Sequence, residues 1–197
     1  FIFCSFNSNH KINASIFNLW LKILSDNKNS VLWIMCDNEQ SKENLKNFTI
    51  DNNVDPKRLI FAKYMPLAEH LKRLDLADVL LDTFPYNAHT SCSDALRVNL
   101  PVITLRGETF ASRVAASLLT SINVTELITD NKDDYHKLAS KICNDPKYFN
   151  EIKSKVMKNK SSSNLFKCEV YTKNIEKAYN IAFKNFVKGE TLENIEL

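Results

Sequence analysis

Between Leu81 and Leu105 the chain reads LDTFPYNAHTSCSDALRVNLPVITL: an apolar run, a polar turn, a short helical pattern and a second apolar run. The turn places an imidazole and two hydroxyls, from His89, Thr90 and Ser91, where the helix begins, with the Asp94 carboxylate one turn inside it. Free N–H groups at a helix start attract anions, and Thr90 and Ser91 add hydroxyl donors, so this stretch can meet a phosphate although it contains no glycine. Asp94 would repel a phosphate beside it, and its carboxylate is better matched to neutral hydroxyls such as a ribose diol. The competing account is capping, with Ser91 or Thr90 as N-cap and Asp94 reaching back as its acidic partner. On spacing alone neither account excludes the other.

A second group tips the balance. His70 and Arg73 are three apart in PLAEHLKRLDLAD and share one helix face. An imidazole can stack on a base while a guanidinium supplies fixed donors to a carbonyl oxygen. Lys11, in the loop after the first apolar run, is an ammonium able to meet a diphosphate. Taken singly, the pair is more often a solvated helix face and the lysine a surface lysine.

The elements that must position these groups are legible as alternating patterns. FIFCSF, SVLWIMC, RLIFAK, DVLLDT and PVITL read as strands, separated by segments with three-to-four-residue apolar spacing. That alternation predicts an α/β fold, a Rossmann-like doubly wound parallel sheet of five or six strands with right-handed crossovers and strands buried on both faces. Ligands of such sheets sit beyond the carboxyl ends of the strands, which is where the 82–91 turn falls. Ile16, Leu19, Trp20, Ile23 and Leu24 make the stripe of a first helix capped by Asn13. Leu45 and Phe48 mark a second helix, AEHLKRLDLAD a third and FASRVAASLLTSI a further one suited to close packing. DNKD at Asp130 starts another, with Tyr135, Leu138, Ala139 and Ile142 inward. Extra helices follow Pro146, interrupted at SSSNLF and ending in a long amphipathic helix from about Val170 to Val187. The expected division is one lobe over 1–187 and a frayed tail over 188–197.

Composition narrows the chemistry. The chain has 197 residues, 44% hydrophobic and 25% charged, enough for one domain with a core. Its net charge of +3 is spread among interleaved acids and bases, so no nucleic-acid partner is expected. The 5 cysteines and 4 histidines are scattered without zinc or redox spacing, and no Asp-x-Asp pair is present. This predicts reduced thiols in a cytoplasmic protein, no metal site and no cofactor. Cys92, beside the turn, is assigned no role. No run reaches membrane-spanning length. The chain begins directly in a strand-like run without Met, which reads as a piece of something longer.

FNSNHKI, LWIM, RLIFAKYMPLAEHLKR, LADVLLDTFPYNAHTSCSDAL, PVITLRGETFASRVAASLL, DDYHKLA and SSSNLFKCEVYTKNIEKAY, in that order and with matching gaps, resemble the C-terminal catalytic lobe of the O-linked N-acetylglucosamine transferases, glycosyltransferase family 41. The resemblance implies the C-terminal half of a GT-B glycosyltransferase. Its N-terminal lobe, usually preceded by tetratricopeptide repeats, would be missing here. It implies that Lys11 is catalytic, meeting the donor diphosphate and helping the leaving group. By the same match His70 stacks near uracil with Arg73 beside it, His89, Thr90 and Ser91 surround the diphosphate, Asp94 holds the ribose, and Ser8 makes a shortened phosphate contact. The chain departs from the family at Ser8, where Gln or Asn is common, at Ala88 and Asn99, where Gly is usual, and at Leu67, a Lys near the ribose in animal members.

The activity so implied is inverting, metal-independent transfer of N-acetylglucosamine from UDP-N-acetylglucosamine (UDP-GlcNAc) to protein Ser or Thr hydroxyls. The lobe alone is expected to be inactive. The alternatives are a relative with another donor or acceptor, in O-fucosyl or N-glucosyl transfer, and a non-catalytic nucleotide-sugar-binding scaffold.

Overall fold

The structure, a computed structural model, describes every residue except Leu192 and Leu197. Six strands form one sheet: β1 Ile2–Ser5, β2 Val31–Met35, β3 Leu59–Ala62, β4 Val79–Leu81, β5 Val102–Leu105 and β6 Ile128–Thr129. Their order is β3-β2-β1-β4-β5-β6, and every pairing is parallel. The helices are α1 Ala14–Asp26, α2 Glu39–Asp51, α3 Leu67–Leu74, α4 Thr90–Arg97, α5 Val114–Ser121, α6 Lys132–Asn144, α7 Pro146–Ser162 and α8 Cys168–Lys188. This is the doubly wound sheet that the alternation predicts, with one further short strand, β6, too brief to show in the periodicity.

Burial follows strand position. The central β4 and β5 are wholly buried, whereas β3, at the sheet edge, leaves Ile60 exposed. The expectation of burial on both faces holds where helices cover both sides and fails at the edge. All five stripe residues of α1 are buried, and the Asn13 side chain accepts from the Ile16 N–H at 3.0 Å as its cap. Trp20 on α1 and Tyr135 on α6 are fully buried. The Trp20 indole donates to the Tyr135 hydroxyl at 3.4 Å, and that hydroxyl donates to the Asp82 carbonyl at 3.0 Å. The core is thereby tied to the end of β4.

Several local expectations are corrected. The cap of α6 is Asn131, which accepts from the Asp134 N–H at 2.8 Å, while Asp130 pairs with Arg106 at 2.8 Å. The FASRVAASLLTSI segment is a 3-10 turn over Phe110–Ser112 followed by α5, because Ser112 is drawn into a capping box with Thr109. The helix in AEHLKRLDLAD ends at Leu74, and Asn99 takes the left-handed φ of +62° beyond α4 that an asparagine tolerates.

Ile152 and Val156 of α7 are buried, and Leu165 and Phe166 pack on the core before α8. None of α8 is buried, and Tyr171, Tyr179, Phe183 and Phe186 lie open on it. The spacing that reads as amphipathic thus yields no fully buried face: Val170, Ile175, Ala178 and Ile181 are half-buried at most. The expected tail over 188–197 begins at the last residue of α8 and falls in part on Leu192 and Leu197, outside the described residues. No helix among the described residues is long and apolar enough to cross a membrane.

Candidate ligand site at the switch point of the sheet

The strand order reverses between β1 and β4, so the loops leaving these two strands flank a crevice at the carboxyl edge. Two hydrogen bonds join the loops. The Lys11 ammonium donates to the Asn87 carbonyl at 2.9 Å, and the Asn13 side chain donates to the Phe84 carbonyl at 2.7 Å. Lys11 also lies 3.8 Å from the centre of the Tyr86 ring. Partial burial pulls its pKa below the usual lysine value, and the nearby Asp82 opposes that shift.

The 82–89 loop is built around a buried carboxylate that sequence reading passes over. Asp82 is fully buried at the end of β4 and accepts from the Thr83 N–H at 2.8 Å, the Ala88 N–H at 2.6 Å and the Thr104 hydroxyl at 2.6 Å. Burial pushes its pKa up to about 7 against the pull of these donors and of Lys11. The Asn87 side chain donates to the Thr83 and Leu105 carbonyls, and the Asn87 N–H donates to the Ala111 carbonyl at 2.9 Å. That last contact depends on the 3-10 turn, which folds back at Gly107, where a Cβ would clash with the Ser112 side chain.

The chain then enters α4. His89 is the N-cap residue but makes no side-chain cap bond, which removes the reading of Ser91 or Thr90 as N-cap. The N–H groups of Thr90 and Ser91 open the helix and have no intrahelical acceptor. Among the described residues neither their hydroxyls nor the Asp94 carboxylate has a hydrogen-bond partner. The His89 ring stands 5.1 Å from Tyr86 and 5.9 Å from Phe110. Cys92, behind this turn, is fully buried, and burial drives its thiol pKa well up, away from reactivity.

His70 opens onto an adjoining cavity of about 490 Å³, which Ser8, Asp37, Tyr64, Leu67 and Asp94 also line. Arg73 does not. It is 5% exposed, stacks 4.3 Å from the Phe6 ring centre, and donates to the Lys63 carbonyl and to His70 Nδ1, each at 2.7 Å. A guanidinium only donates, so Nδ1 is the acceptor and the imidazole proton sits on Nε2. Burial first, then the Arg73 charge, lowers the His70 pKa, with Asp94 opposing. Arg73 therefore sets the tautomer of His70 from behind. An Arg73→Met variant is expected to raise the His70 titration midpoint, as read by proton NMR of the ring; an unmoved midpoint would show that the charge does not reach the imidazole.

The structure thus gathers Lys11, His89, Thr90 and Ser91 at the switch point, places His70, Asp94 and the exposed Ser8 around the adjoining cavity, and withdraws Arg73 into the protein. The residues missed are Asp82, Tyr86, Asn87 and the Gly107–Ser112 turn. A signal existed for the last, since Gly107 is one of only 2 glycines in the chain. Among the described residues no group of three or more His, Cys, Asp or Glu is arranged to hold a metal ion.

A doubly wound parallel sheet, with a helix start lacking a side-chain cap beside its switch point, defines a Rossmann-like class of α/β protein. Within that class the chain belongs to glycosyl transferase family 41, which matches residues 1–175. It is 32% identical over 194 residues to the UDP-N-acetylglucosamine–peptide N-acetylglucosaminyltransferase of Caenorhabditis elegans, covering 98% of this chain and 17% of that protein. It is 32% identical over 181 residues to the probable enzyme SEC of Arabidopsis thaliana, covering 91% and 18%. A mutant O-GlcNAc transferase of Thermobaculum terrenum superposes with a TM-score of 0.85 at 26% identity, over 90% of this chain and 35% of that one. The chain thus spans under a fifth of the length of these two curated relatives.

Proposed function

We propose that the chain is the donor-binding lobe of an inverting, metal-independent, cytoplasmic glycosyltransferase that moves N-acetylglucosamine from UDP-GlcNAc to Ser or Thr hydroxyls of proteins. One observation carries the reading: in a family 41 chain, the unpaired N–H groups and hydroxyls at the start of α4 lie beside the Lys11 loop, across the switch point. The diphosphate meets that helix start, with Lys11 and His89 beside it. The uridine enters the cavity toward His70, and Asp94 takes the ribose hydroxyls. As the bond from the sugar to the diphosphate breaks, negative charge grows on the leaving oxygens. Lys11 and the α4 N–H groups, already oriented, stabilise that charge without reorganising.

This chain is assigned no general base for the acceptor hydroxyl. We assign that step to a second, N-terminal lobe of the longer polypeptide, accompanied by tetratricopeptide repeats. The open apolar side of α8 and the length of the relatives support such a partner lobe.

Titration calorimetry in the presence of a chelator tests the reading. UDP is expected to bind and GDP to bind at least ten-fold more weakly, and His70→Ala to weaken UDP and uridine alike by about ten-fold. Equal affinity for GDP would assign a guanosine-linked donor, and binding of neither nucleotide overturns the site. The lobe alone should transfer no sugar to a Ser- or Thr-containing peptide, whereas the chain joined to its N-terminal lobe should.

A further inference from the structure

The peptide unit between Asn87 and Ala88 is held from both ends by the side chains of Lys11 and Asp82, which carry opposite charges once Asp82 is ionised. Its carbonyl accepts from the Lys11 ammonium at 2.9 Å, and its N–H donates to the Asp82 carboxylate at 2.6 Å. A carboxylate pulling on the N–H polarises the carbonyl across the same peptide plane, and a polarised carbonyl holds an ammonium more strongly. The other contacts of Asp82 fix the geometry of this bridge. Oδ1 also takes the Thr83 N–H, and Oδ2 takes the Thr104 hydroxyl from β5. The ionisable groups felt around it come from three elements: Lys11 from the β1–α1 loop, Cys92 from α4 and Tyr135 from α6. Burial keeps the thiol and the phenol neutral, so Lys11 is the one cation of the three.

We infer that Asp82 is a positioning residue: acting through the Asn87–Ala88 peptide, its buried carboxylate fixes the Lys11 ammonium beside the start of α4, where the diphosphate is to be met. The coupling between Asp82 and Lys11 stands on the geometry alone, and its consequence for a diphosphate rests on the proposed function. Without the carboxylate, Lys11 keeps the Tyr86 ring and an unpolarised carbonyl, and it is free to leave both.

Asp82→Asn isolates the charge, because the amide oxygen can still accept from the Thr83 and Ala88 N–H groups while its NH2 faces the Thr104 hydroxyl. Heteronuclear NMR of the Lys11 side chain in the full 197-residue chain is the first readout. The Lys11 titration midpoint is expected to fall by about half a unit or more in Asp82→Asn, since burial is then unopposed. Lys11→Met, at a partly exposed position, is expected to raise the Asp82 midpoint by the same amount, because coupling is reciprocal. This second variant decides the matter if the first fails to fold.

Calorimetry at a pH above the Asp82 midpoint, where the carboxylate is ionised, is the second readout. Asp82→Asn should weaken UDP about five-fold, leave uridine unchanged, and have no further effect in the Lys11→Met background. Unmoved midpoints overturn the coupling whatever UDP does. Moved midpoints with an equal UDP loss in the Lys11→Met background overturn the positioning role. Moved midpoints in a chain that binds no UDP keep the coupling and overturn the proposed function instead.

Discussion

Replacing Thr90 and Ser91 together with Ala will weaken UDP by about a hundred-fold or more while leaving uridine nearly unchanged. Each hydroxyl at the start of α4 can donate to a charged phosphate oxygen, and a hydrogen bond to a charged group contributes roughly 1.5–3 kcal/mol. Two such losses give about a hundred-fold or more in affinity. The effect falls on binding and not on folding, because neither hydroxyl is engaged by another described residue and the cap position belongs to His89. Alanine is also the best helix former, so the first turn does not suffer. Calorimetry with both ligands, next to a thermal melt, checks this. An equal loss for uridine would mean that the hydroxyls shape the loop and do not meet phosphate.

The stability of the chain will fall as the pH rises from about 4 to about 8, and Asp82→Asn will remove most of that slope. Asp82 has a folded-state pKa raised from 3.8 to about 7 by complete burial. Between those values the folded state holds a proton that the unfolded state has released, so the unfolded state gains with every unit of rising pH. The contribution is fully present below about pH 4 and lost once the pH passes about 7. At about 1.4 kcal/mol per unit the window amounts to about 4 kcal/mol, a large part of the stability of an ordinary domain. Urea unfolding of both chains across this range reads the difference between them directly. Parallel curves would mean that Asp82 stays ionised throughout.

These two predictions differ in how visible their residues are in the sequence. Thr90 and Ser91 can be read because a helix start is a local event, marked by a turn between an apolar run and a helical pattern. Asp82 stands in the same quoted stretch, yet nothing beside it marks it as buried. Its partners Thr104 and Lys11 lie 22 and 71 residues away and meet it only when β5 and the β1 loop come alongside β4. Arg73 shows the opposite error. Its spacing from His70 is right for one helix face, but the guanidinium turns inward over Phe6 and donates to the Lys63 carbonyl.

By itself the sequence determined the succession of strands and helices along the chain, the parallel sheet and the carboxyl edge where the candidate groups gather. These follow from apolar periodicity and crossover handedness, which are properties of short segments. Tertiary structure alone decided which of those groups stay open to a ligand. It brought the β1 and β4 loops together across the switch point, so that the Lys11 ammonium reaches a carbonyl 76 residues away. It sealed Asp82 beneath that contact, and among the described residues it left no position of α8 fully buried. The physical reason is that burial and electrostatic pairing depend on which strands become neighbours, and strand order is fixed by packing across the whole sheet and not by any one stretch of chain.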